Sequence, residues 1–172
     1  MMLNHTLSES SPVTPHQFKL RRATLEDITN LCIVELKAIK DEQRMHPFNM
    51  SLSELTSVWK MRLKSGKFDI VVAVDALNND RLVGFIALQA PSHHEAFLQA
   101  IYVDPLYYRR KVGTMLMALC DKLCKLRFCP VLRLHVEPLN RNGLSFYKKL
   151  GFTVTNRKFH HLNILVKEYS SC

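Results

Sequence analysis

No stretch of the 172-residue chain approaches the 18 or more consecutive apolar residues that a membrane-spanning helix needs. Nor does the N-terminus carry the basic region followed by an apolar one that marks a secretory signal. A soluble protein with no membrane partner is expected. Cysteine usage excludes as well. Cys32, Cys120, Cys124, Cys129 and Cys172 are odd in number and lack CxxC spacing, so neither a zinc site nor a disulfide framework is expected, and no metal is predicted. Cys120 and Cys124 stand four apart on the apolar side of a predicted helix, where a free cysteine packs as a small hydrophobe. A reducing cytoplasm suits them. Also missing are internal repeats, a visible domain boundary and any long block of Lys or Arg. The formal net charge of +9 invites a nucleic acid, an acidic protein or a phosphorylated ligand as partner. Without an RNA-recognition signature or a glycine-rich single-strand platform, nucleic acid is not the expected one.

What is present suits one α/β domain, long enough to bury roughly 70% of the surface its unfolded chain exposes. Residues 1–16, rich in Ser, Thr, Pro and Asn, read as a flexible leader before a single domain at 17–172. Phe18 to Arg22 alternates like a strand. Thr24-x-x-Asp27 resembles a capping box ahead of a helix bearing Ile28, Leu31, Cys32, Leu36 and Ile39. His46-Pro47-Phe48-Asn49 breaks that helix, and Ser51-x-x-Glu54 caps a second with Leu52, Leu55, Trp59 and Leu63 on one face. The apolar runs Phe68 to Val74 and Leu82 to Gln89, joined by a polar Asn/Asp-bearing link, predict an antiparallel hairpin. After a loop at Ala90 to His94 come a strand at Phe97 to Val103, a helix from Gly113, a strand at Val131 to Val136, a helix at Asn140 to Leu150, and strands at Phe152 to Asn156 and Leu162 to Lys167. This order predicts a mixed α/β (α+β) fold, with a mostly antiparallel sheet of six to seven strands and about four flanking helices.

The stretch Phe97 to Leu126 organises the chain. A buried strand breaks at Asp104-Pro105, passes through a cationic loop and opens into an amphipathic helix at Gly113. The free N–H groups of a first helical turn and the positive end of its dipole favour an anion. Arg109, Arg110 and Lys111 add full charges beside them. The same segment also reads as a plain strand-to-helix connection with a solvated charge run.

Two motifs carry a resemblance to the GNAT superfamily of acyl-CoA-dependent N-acyltransferases. Val103-Asp104-Pro105 followed by Tyr108-Arg109-Arg110-Lys111-Val112-Gly113-Thr114 is similar to the family's acetyl-CoA loop. Asn140, Tyr147, Lys149, Gly151 and Phe152 match its second and more specific signature. The element order from Phe18 to Lys167 follows the family. Two positions depart from it: Tyr108 stands where Arg or Gln is usual, and Lys111 stands where the first Gly is usual. A side chain at the latter crowds the loop or forces a positive φ, unless the lysine itself becomes a phosphate ligand.

The resemblance implies an N-acetyltransferase using acetyl-CoA as cosubstrate, by direct attack of a primary amine. It also implies that Ile101, Tyr102 and Val103 offer backbone to pantetheine. Asn140 lies near the same arm in the family, although as a favoured helix N-cap it needs no ligand to explain it. The chemistry itself demands a base, because an amine of pKa about 10.4 is only roughly one part in a thousand neutral at pH 7. His135 is the first candidate, against a hydrogen-bonded residue of the sheet face. Alternation places Arg133, His135 and Glu137 on one face of their strand and Leu132, Leu134 and Val136 on the other. Glu95 is the second candidate and Glu137 the third, against simple solvated carboxylates. Tyr147 resembles the family's general acid, since a phenol stays protonated at neutral pH. The alternative for it is an aromatic core residue beside Phe146.

The expected acceptor is a peptide or protein amine, an amino acid or a small amine with an acidic group. A basic protein's long-range field opposes a polycation. Acceptor contacts are expected from the region Ala38 to Met50, the loop Ala90 to His94 and the turn Lys158 to His161. There His93, His94, His160 and His161 are either exposed loop residues or part of the cleft. A catalytically silent acyl-CoA-binding module is the competing function, and a homodimer is open.

Overall fold

The computed structural model describes residues 17–42, 50–89 and 94–169. The expected leader, the His46-Pro47-Phe48-Asn49 break and most of the Ala90 to His94 loop lie outside the described residues. Among the described residues there are seven strands and four α-helices. In chain order they are β1 (Phe18–Arg22), α1 (Ile28–Asp41), α2 (Leu52–Lys64), β2 (Phe68–Asp75), β3 (Arg81–Gln89), β4 (Ala96–Val103), α3 (Val112–Leu126), β5 (Val131–Val136), α4 (Arg141–Lys149), β6 (Thr153–Phe159) and β7 (Leu162–Glu168). They form one sheet in the order β1-β2-β3-β4-β5-β7-β6. Every neighbouring pair is antiparallel except β4 with β5, which the α3 crossover makes parallel. The mixed, mostly antiparallel sheet with four helices is the architecture the sequence implied.

The alternation of side chains along the strands sorts the core into two layers. Ile70, Val72, Val74, Phe85 and Ala87 face Ile28, Leu31 and Cys32 of α1 and Leu55 and Trp59 of α2. Val71, Ala73, Ile86, Leu98, Leu132, Leu134 and Leu165 pack with Leu116, Met117, Cys120 and Cys124 of α3. The central strands are therefore apolar on both faces, as strands covered on both sides must be. Cys120 and Cys124 sit in the second layer as free thiols. Burial pushes the Cys124 thiol up to about 12, so it is a packing group rather than a nucleophile.

Capping follows the residues. Ser51 N–H donates to Glu54 Oε2 at 2.8 Å while the Ser51 side chain accepts from the Glu54 amide, closing the reciprocal box at the start of α2. Thr24 and Asp27 make a similar exchange, but around a short 3-10 turn at Leu25–Asp27 that precedes α1. Leu52, placed on the buried face by spacing, is exposed because the first turn of α2 overhangs the core. The hairpin between β2 and β3 turns through Asn79 and Asp80, both at positive φ, where their short polar side chains are tolerated.

Candidate active site

The parallel pairing of β4 with β5 covers only Ala96 to Leu98 against Leu132 to Leu134. Beyond it, β4 continues to pair with β3 through Val103, but its other edge has no partner strand among the described residues. A register shift where Ala87 and Leu88 face Ala100 and Leu98 leaves Gln99 as an extra residue at that point. Such a bulge bends its strand and ends pairing locally. Ile101 and Val103 turn their side chains to the α3 layer and Tyr102 turns to the α1/α2 layer, so the open edge is backbone.

The loop after β4 returns to the open end of the strand. Asp104 is buried, and its Oδ1 accepts the Leu106 amide at 3.1 Å. Pro105–Tyr107 form a 3-10 turn, and Arg110 lies 5.1 Å over the Tyr107 ring. Tyr108 is exposed, as are Arg109, Arg110 and Lys111. Lys111 is the N-cap of α3 at φ 65 and ψ 9, and Arg109 is also left-handed at φ 64. The positive φ anticipated for Lys111 in the usual glycine position is thus present, and Arg109, outside that position, shares it. Left-handed backbone costs a non-glycine residue about 1–2 kcal/mol. Lys111 provides no side-chain cap for the first-turn amides of Val112, Gly113 and Thr114, which an α-helix leaves without intrahelical partners. α3 begins at Val112, one residue before the expected Gly113, and the Val112 side chain is buried, so only its N–H is available. A Cβ on Gly113 would sit 3.3 Å from Phe146 Cζ and 3.8 Å from Val103 Cγ2. The bare backbone therefore lets the start of α3 pack against both β4 and α4.

On α4, the Asn140 side chain accepts the Gly143 amide at 2.8 Å, and its Nδ2 reaches Glu42 Oε2 at 3.5 Å. It caps the helix, as its residue type favours, and also ties α4 to the end of α1. Tyr147 is half-buried among Phe146 and Phe152, with ring centroids at 5.4 and 5.7 Å, and packs on the α3 layer.

His135 projects from the opposite face of β5, since its neighbours Leu134 and Val136 are buried against α3. Its ring lies between Phe97, edge-on at 4.8 Å, and Phe159, stacked at 4.6 Å and 21°. His135 Nε2 is buried with no hydrogen-bond partner among the described residues. Burial, reinforced by the Arg133 charge and opposed by Glu95, holds the imidazole below the ordinary histidine range, so it is neutral at pH 7. Glu95 is not a simple solvated carboxylate: it accepts from Arg133 Nη2 at 2.7 Å. Glu137 Oε1 stands 3.1 Å from His161 Nε2. Both candidate carboxylates are therefore engaged, whereas His135 Nε2 has no hydrogen-bond partner among the described residues. His94 and His160 are exposed, and His93 lies outside the described residues. The sequence reading missed Phe97, Phe159 and Glu42, whose partners are distant in the chain. Arg133 was placed on the correct face, without its ion pair.

Residues 33–152 match the model of the acetyltransferase (GNAT) family. The chain belongs to that family. This GNAT chain is 32% identical over 101 residues to a spermidine N(1)-acetyltransferase of Thermoplasma acidophilum, spanning 59% of this chain and 62% of that protein. A second match, at 23%, is an uncharacterised N-acetyltransferase of Methanocaldococcus jannaschii. The chain spans about three fifths of the length of the curated relatives it matches, 62% and 60%. Among solved structures, the PaiA N-acetyltransferase of T. acidophilum, in complex with coenzyme A, superposes with a TM-score of 0.73 at 26% identity, covering 88% of this chain and 99% of that one. Ard1 of Thermoplasma volcanium gives 0.67 at 23%, covering 88% and 97%, and speaks for the fold alone. Among the described residues, no helix of this GNAT domain is long and apolar enough to cross a membrane.

Proposed function

We propose that the protein transfers an acetyl group from acetyl-CoA to a primary amine by direct attack, with no covalent enzyme intermediate. The observation that carries this reading is the end of β4–β5 pairing at Leu98 and Leu134, which among the described residues leaves a strand edge unpaired next to the start of α3, where Lys111 gives no side-chain cap. Unpaired backbone is costly to bury, so a ligand with amide groups of its own is the natural complement to such an edge. On this reading Ile101, Tyr102 and Val103 hold the pantetheine arm. The amides of Val112, Gly113 and Thr114, with Arg109, Arg110 and Lys111, hold the pyrophosphate. Tyr108 flanks it, and Asn140 orders α4 at the mouth. A structural relative at 26% identity binds coenzyme A, which agrees with this fit.

Acetyl-CoA supplies the acyl group as an activated thioester. His135 takes the proton that the attacking amine must lose, and its neutral ring suits that task. Tyr147, packed on the other face of the sheet, gives its phenolic proton to the departing thiolate. Base and acid thus flank the gap between β4 and β5 from opposite sides.

The acceptor we favour is a polyamine, because the relative at 32% identity is a spermidine N(1)-acetyltransferase. The net charge of +9 does not bar it. Three of the positive charges form the Arg109 to Lys111 cluster assigned to the cofactor, and physiological salt confines such fields to about 8 Å. Thiol release from acetyl-CoA should be followed with spermidine, other primary amines and peptide N-termini, alongside calorimetric acetyl-CoA binding. Turnover with spermidine above all peptides is the expected result. Tight binding with no turnover on any amine would replace the enzyme reading with that of an acyl-CoA-binding module.

A further inference from the structure

We infer that Phe159 is a positioning residue for His135: the β6–β7 hairpin lays its ring over the imidazole, fixes it in place and keeps it out of water. The inference rests on the reading of His135 as the base. Phe159 lies one residue from the hairpin turn, pairs with Leu162 and is 49% exposed, so it is not held there by a core of its own. An aromatic ring on an otherwise exposed edge strand needs a partner, and outside its own hairpin the ring stacked on it is His135, nearly parallel at 4.6 Å. Phe97 closes the other side. The two rings leave His135 Nε2 buried and unpartnered among the described residues, and a buried polar nitrogen in that state is costly.

The hairpin is anchored where this contact requires. His160 turns the chain at φ 53 and packs edge-on against Phe159 at 4.6 Å. His161 reaches Glu137 at the end of β5, and Lys158 bonds to Asn163, which pairs with Val136. The ionisable groups around the imidazole are therefore Glu95 and Arg133 on the Phe97 side, Glu137 and His161 at the strand end, and Lys158 and His160 on the hairpin. Arg133 opposes protonation and Glu95 favours it. Phe159 adds no charge and acts by excluding water, which disfavours the imidazolium. An acceptor reaches Nε2 only when the ring swings aside, and the half-exposed, edge-strand position of Phe159 gives it room to do so.

The test begins without substrate. The His135 ring is titrated by NMR in the full chain, assigned with His135→Asn, and compared with Phe159→Ala and Phe159→Leu. Phe159→Ala should move the titration up toward the ordinary value of about 6.5, and Phe159→Leu, which keeps an apolar cover, should move it less. With the best amine, the ascending limb of kcat/KM should move to higher pH in Phe159→Ala. A limb displaced upward by about 0.5 in pH lowers activity on its acid side by about threefold, while the high-pH plateau is kept. An unmoved His135 titration in a folded Phe159→Ala protein, or an equal loss of activity at every pH, would overturn the inference. A wild-type acid limb that survives His135→Asn would instead sink the reading of His135 as base, and the ring titration would still decide whether Phe159 controls it.

Discussion

β4 meets β5 in two ways along its length. From Ala96 to Leu98 the strands pair, with Leu98, Leu132 and Leu134 buried in the α3 layer; from Ala100 to Val103 the same strand pairs, among the described residues, only with β3. The first half is ordinary core, stabilised by apolar burial and a backbone ladder. The second gives up half of its ladder, and on the proposed reading it is there that the cationic loop, the start of α3 and Tyr147 act from one face and His135 from the other. On the proposed reading one strand serves as scaffold and as binding edge, and the bulge at Gln99 marks the change.

Substitutions in the two halves should separate stability from function. Leu134→Ala, in the closed half, should cost about 2–5 kcal/mol through lost burial and the cavity left behind, read by urea unfolding. Tyr147→Phe, at the open half, should instead lower kcat about 100-fold while acetyl-CoA affinity and unfolding midpoint stay near wild type; an unchanged kcat would end the acid role. The pH profile sharpens the contrast. Because His135 titrates below its ordinary value, the ascending limb of kcat/KM should lie below about pH 6.5 and vanish in His135→Asn. The same depression couples to folding. The unfolded chain takes up this proton near pH 6.5 and the folded one only lower, so the stability it confers is full above about 6.5 and lost as pH falls through the folded value. His135→Asn should flatten the acid dependence of the unfolding midpoint over that window.

The smallest expected effect is at Lys111. Its left-handed backbone predicts that Lys111→Gly stabilises the fold by about 1 kcal/mol in urea. Its charge predicts the opposite sign for the cofactor. If the lysine is a phosphate ligand, acetyl-CoA binds more weakly in the variant and loses part of its salt dependence. A tighter complex would mean that the side chain obstructs.

Much of this was legible without coordinates, and unevenly so. The α3 face of the open half could be read because its parts are contiguous: Val103-Asp104-Pro105, the cationic run and the helix start lie within a dozen residues, and Asn140 and Tyr147 share one helix. The strain at Lys111 followed from a side chain in a glycine position. The bulge at Gln99 left no signature, because the register depends on β3 as much as on β4. The environment of His135 was equally hidden, since Phe97 and Phe159 lie 38 and 24 residues from it in the chain.

The sequence by itself determined the elements, their alternating faces and the loop chemistry, since periodicity, caps and turns are local consequences of residue type. Only the tertiary structure decided where β4 lets go of β5, that Glu95 is held by Arg133, and that a neutral histidine lies between two phenylalanines. Those facts depend on register and on contacts between distant segments, which local side-chain preferences do not encode.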